Sequence, residues 1–70
     1  MPTGAESFDR LPDRLRRIVP LIAEGKSNQQ IAGEMHLAVH TVEAYVSEIL
    51  ARTECHTRGE LIVNALGWLA

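Results

Sequence analysis

From Ser27 to Thr53 apolar residues recur at helical spacing, and the pattern breaks only once, over His36, Leu37 and Ala38. A break that short has room for a tight turn and nothing more, so two helices must follow one another closely. The first has a marked start. Ser27, followed three residues later by Gln30, forms a capping box that satisfies two otherwise orphan backbone N–H groups. It predicts a helix over about 28–35, with Ile31, Ala32 and Met35 facing inward. The second helix is predicted over about 39–53. At about 100° per residue, Val42, Val46, Ile49, Leu50 and Thr53 fall on one side. His40, Ala44, Ser47 and Ala51 fall opposite, with Glu43 and Glu48 on the flanks. That small outer face suits either plain solvent or a surface to which the helix backbone comes close.

Two more helices complete an all-α, four-helix domain. Leu11, Leu15, Ile18, Val19 and Ile22 make a stripe that predicts a helix over about 12–24, and Gly25 supplies a natural stop. Pro20 lies inside that stretch and should kink or distort it, at a cost of up to ~3 kcal/mol if unrelieved. The last helix, about 58–69, opens with Thr57 and Glu60 spaced as a second capping box. Leu61, Ile62, Ala65 and Leu69 form its inward stripe. Val63, Leu66 and Ala70 form a second apolar row on another side, which fits a partner face or a frayed, apolar terminus. Residues 1–10 lack periodicity and read as a flexible lead-in to a domain over 11–70, with Phe8 as a local anchor.

At 70 residues the chain sits near the lower limit for building its own core. One Phe, one Tyr and one Trp leave that core aliphatic, as packed helices require. No apolar run approaches the roughly 20 residues of a membrane span. The start of the chain lacks a signal-peptide pattern, and a lone Cys55 cannot form an internal disulfide, so a cytoplasmic location is expected. The net charge of −2 runs against nucleic-acid binding, which favours basic surfaces. It is unevenly spread. Arg10, Arg14, Arg16, Arg17 and Lys26 against Glu6, Asp9, Asp13 and Glu24 leave residues 1–26 at +1. Arg52 and Arg58 against Glu34, Glu43, Glu48, Glu54 and Glu60 leave residues 27–70 at −3.

A short helix, a tight turn and a longer helix form the helix-turn-helix arrangement, whose second helix can enter the major groove of DNA. The stretch LIAEGKSNQQIAGEMHLAVHTVEAYVSEIL, residues 21–50, resembles the DNA-binding domain of LuxR/FixJ/NarL/GerE-type transcription regulators. The likeness rests on the Leu21–Gly25 run, Ser27, Asn28, Ile31, Ala32, Thr41, Val42, Val46, Ile49 and Leu50, and continues weakly through Arg58 and Glu60. It implies double-stranded DNA as partner, usually bound by a two-fold homodimer formed through the last helix. RNA polymerase or another regulator would be a further partner. No cofactor is implied. The resemblance puts base contacts at Glu43, Ala44 and Ser47, and backbone or base-edge contacts at His40 and Thr41. Arg58 matches a position that commonly touches phosphate. Lys26, Asn28, Tyr45 and Arg52 are the other phosphate candidates, and Val63, Leu66 and Ala70 the dimer candidates.

Departures from the family pattern bear on the chemistry. Glu43 stands where many members carry Lys; it could accept from cytosine N4, or it could meet only solvent and discourage wrong sites. Ala38 replaces the usual Ser cap, a loss of typically ~1 kcal/mol. Tyr45 replaces the commonest His, and Thr53 a usual Leu. The main alternative function is a protein-interaction module that keeps the fold but has lost DNA. Glu43, the acidic second half and a reading face without Lys favour it. An enzyme or a metal site is not expected. His36 and His40 have a zinc-like spacing but the turn falls between them, and Cys55 reads as a packed residue between helices. Regulators of this type usually carry a sensory domain before the module, for which 70 residues leave no room, so an excised domain or a small free-standing regulator is expected.

Overall fold

Pro20 decides how the first half of the chain is built. In the computed structural model, which describes residues 4–70, the stretch expected as one helix is two: α2 (Asp13–Arg16) and α3 (Val19–Ala23). Pro20 sits in the first turn of α3, where its missing N–H would have had no intrahelical partner. The chain interrupts the helix at Arg17 and Ile18 rather than kinking it around the ring. The apolar stripe survives the interruption, and Leu15, Ile18, Val19 and Ile22 are fully buried.

The lead-in is also structured. A short helix, α1 (Gly4–Asp9), packs against the last helix, with the Phe8 ring stacked on Trp68 at 5.5 Å between centroids. Arg16 lies over the Phe8 ring, its guanidinium carbon 5.9 Å from the centroid, and donates to the Asp9 carbonyl at 3.0 Å. Residues 1–3 lie outside the described part of the chain.

The remaining three helices, α4 (Asn28–Met35), α5 (Val39–Arg52) and α6 (Arg58–Trp68), follow the expected spans closely. α4 packs on α5 and α3 on α6, while α2 bridges to α5. Ile31, Val42, Ile49, Leu61 and Ala65 close the common core. A Cα radius of gyration of 11.1 Å matches the ~11 Å expected for a compact chain of this length. Among the described residues no helix is long and apolar enough to cross a membrane.

Capping sets the boundaries. Both halves of the Ser27–Gln30 box form, with Ser27 N–H donating to Gln30 Oε1 at 2.8 Å and Gln30 N–H to Ser27 Oγ at 3.2 Å. At α6 only half of the box is as expected. Glu60 N–H donates to the Thr57 hydroxyl at 3.0 Å, but the Glu60 carboxylate takes the N–H of His56, one residue earlier. α3, α4 and α5 all give way to a left-handed residue: Gly25 (φ 84), His36 (φ 57) and Glu54 (φ 57). After His36, Leu37 N–H reaches back to Ala32 O at 2.9 Å, and after Glu54, Cys55 N–H reaches Leu50 O at 3.0 Å. The three-residue break is therefore a helix-ending turn that sends α5 off immediately. Thr53, buried, satisfies its hydroxyl on Ile49 O at 2.7 Å. Leu69 departs from the expected inward stripe and is 42% exposed. Trp68, which lies nearer the Leu61 and Ala65 line, takes the inward place at that end of α6.

α5 begins at Ala38, which offers no side-chain cap. Ala38→Ser should place a hydroxyl within reach of the Thr41 N–H and stabilise the domain by about 1 kcal/mol. The expected readout is a rise in Tm of roughly 4–8 °C; an unchanged or lower Tm would rule the capping account out.

Candidate nucleic-acid interface

α5 is held from behind by Val42, Val46 and Ile49, all buried against the other helices. Their spacing fixes what faces outward. His40, Glu43, Ala44, Ser47 and Ala51 are exposed along the opposite side, and Thr41 is half-buried at its edge. Val39, 37% exposed at the first position of α5, adds an apolar corner that periodicity did not single out. The face consists mainly of short side chains, so an approaching surface can come near the helix itself.

Two polar clusters hold the phosphate candidates. In the first, half-buried Arg58 donates to Asn28 Oδ1 at 2.6 Å and to the Lys26 carbonyl at 2.7 Å. This bracket ties the start of α6 to the start of α4 across 30 residues of chain. It uses the Asn28 oxygen and leaves the Asn28 amide N–H groups directed elsewhere. Lys26 is itself paired, its Nζ 2.6 Å from Glu34 Oε2 and 3.5 Å from Glu24 Oε1. The bond to Glu34, with Glu24 adding to it and burial opposing, raises the Lys26 pKa above its ordinary value. The ammonium therefore keeps its charge throughout the neutral range, and these pairs weaken only as pH rises past the usual lysine range.

In the second cluster Glu48 is shared. Arg14 reaches it from α2, with Nη2 3.1 Å from Oε1 and from Oε2, and Arg52 Nε donates to Oε2 at 2.8 Å. The Arg14 guanidinium also lies over the Tyr45 ring, 5.9 Å from its centroid. Of the phosphate candidates read from the sequence, the fold thus groups Lys26, Asn28 and Arg58 in one place and Tyr45 and Arg52 in another. Arg14 was not among them. Nothing local could have found it, since its partner Glu48 is 34 residues away; only the Arg52–Glu48 pair at i,i+4 is visible in the sequence.

The fold also fixes where the other sequence candidates lie. His36 occupies the left-handed turn and His40 the outer face of α5. Among the described residues no three His, Cys, Asp or Glu side chains come together as a metal site. Cys55 is buried between helices, with its sulfur accepting from Asn64 Nδ2 at 3.5 Å. On α6 the second apolar row stands clear of the core, with Val63 70% and Leu66 58% exposed and Ala70 exposed beyond the last turn.

The sequence pattern of the family described as "Bacterial regulatory proteins, luxR family" matches residues 9–65. Relatives include the proteins named "Response regulator protein VraR" of Staphylococcus aureus, Staphylococcus epidermidis and Staphylococcus saprophyticus, each 38% identical over 65 residues. The match takes in 93% of this chain and 31% of each relative, so the chain spans about a third of the length of these proteins. With a match over most of its length and the helix-turn-helix in place, this chain belongs to the LuxR family of bacterial regulatory proteins, as a domain of the DNA-binding, transcription-regulating kind.

Proposed function

We propose that this domain binds a specific double-stranded DNA site as a two-fold dimer in the bacterial cytoplasm, with α5 in the major groove and α6 at the dimer axis. The observation that carries this reading is the outward face of α5. It is exposed, built mainly of small side chains and directly preceded by a tight turn, with Tyr45, Glu48 and Arg52 on the same helix and Arg14 held against them. His40, Thr41, Ala44 and Ser47 then meet base edges beside Glu43. Lys26, Asn28, Arg58, Tyr45 and Arg52, with Arg14, meet phosphates. Val63, Leu66 and Ala70 meet the second copy, with RNA polymerase or another regulator as a further partner.

Few cations serve this task, and each is already paired with a carboxylate or carbonyl in the free domain. One copy should make only about three or four phosphate contacts, giving a shallow salt slope and weak binding. Two copies on one site should roughly double the slope. Selection of duplexes from a random DNA pool tests the reading, with a palindromic motif as the expected result. The same paired cations favour a second reading, a protein-interaction module on the same fold. A pool with no enriched sequence would overturn DNA binding and leave that reading in its place.

A further inference from the structure

α5 carries two carboxylates in very different circumstances. Glu48 is half-buried and shared between Arg14 and Arg52. Glu43 is exposed at the edge of the outward face, with no hydrogen bond or ion pair to any described residue. Its helix neighbours at three and four residues are Val39, His40, Val46 and Ser47, so no Lys or Arg stands where a helix would supply one. Ala44 and Ser47 beside it are short, so they leave the carboxylate open to an approaching surface.

On a surface that approaches a polyanion, such a group is unfavourable unless something there donates to it. In the major groove the four bases differ sharply as partners. Guanine presents two acceptors, thymine an acceptor and a methyl, and adenine a donor with the N7 acceptor directly beside it. Cytosine alone presents an amino donor with no adjacent acceptor on its own edge. We propose that Glu43 is the specificity-determining residue of α5, its carboxylate accepting a hydrogen bond from a cytosine N4 amino group and fixing one C·G pair in each half-site. This rests on the DNA-binding reading above. It turns the charge reversal on the reading face into the source of selectivity and gives the free carboxylate its partner.

The test is duplex selection with the 70-residue chain, side by side for the unsubstituted protein, Glu43→Gln and Glu43→Ala. Both replacements are good helix formers at an exposed position, and circular dichroism verifies that each stays folded. The unsubstituted domain should enrich a motif with cytosine at one position per half-site, and replacing that pair should weaken binding about ten- to a hundredfold. Glu43→Gln should move the preference at that position to adenine, which a carboxamide can pair through both N6 and N7. Glu43→Ala should bring all four bases there to within about twofold while the rest of the motif is unchanged. One unaltered motif from all three proteins, even with higher overall affinity for the variants, would overturn this assignment and leave DNA binding standing. No enriched motif from any of them would overturn the DNA-binding reading and this one with it.

Discussion

Leu61→Ala should lower the unfolding free energy of the domain by about 2–5 kcal/mol, as buried leucine truncations do. A 70-residue domain has only about 4–10 kcal/mol in total. Leu61 is fully buried in the first turn of α6, where that helix meets α3. A cavity there loosens the attachment of the whole helix. Urea titrations followed by far-UV circular dichroism should show the midpoint fall with its slope maintained. A loss under about 1 kcal/mol would mean that the core collapses onto the space and that α6 is held mainly by its ends, through the Arg58 bracket and the Phe8–Trp68 stack.

The opposite face of the same helix should behave in the opposite way. Val63→Gln combined with Leu66→Gln removes two apolar side chains that are 70% and 58% exposed, so stability should change by no more than about 0.5 kcal/mol per site. Glutamine keeps the helix propensity and adds no charge. Affinity for a duplex with two half-sites should nonetheless fall about a hundredfold or more, because linked binding of two copies is lost. Affinity for a duplex with a single half-site should stay the same. Equal losses on both duplexes would place α6 in direct contact with DNA, and no loss on either would remove it from the dimer.

Local signals carried most of the architecture. The Ser27–Gln30 box, the Gly25 stop and the three-residue break each depend on neighbours in sequence, and each is realised as expected. What was illegible involves distance along the chain. α1 has no apolar stripe of its own and is pinned by Phe8 on Trp68, at the far end of the chain. The expected single helix over 12–24 splits because Pro20 is best accommodated in a first turn, a choice that periodicity alone does not register. The outer face of α5 was readable from its angles, but the polar clusters were not. Arg58 was identified as a phosphate candidate with no sign that Asn28 and Lys26 would engage it first, and the Arg14 contribution depends on how α2 lies against α5.

The shared carboxylate of Glu48 has a consequence for how salt acts on this domain. A phosphate arriving at Arg14 or Arg52 does not meet a bare cation; it competes with an anion already bound within 3.1 Å of both. Phosphate docking at these two guanidinium groups would be an exchange of ligands, with Glu48 as the leaving group. Raising the ionic strength screens the internal pair as well as the external one, so part of its effect cancels. A titration that counted guanidinium groups and multiplied by the usual slope per phosphate would overestimate the salt sensitivity of this surface.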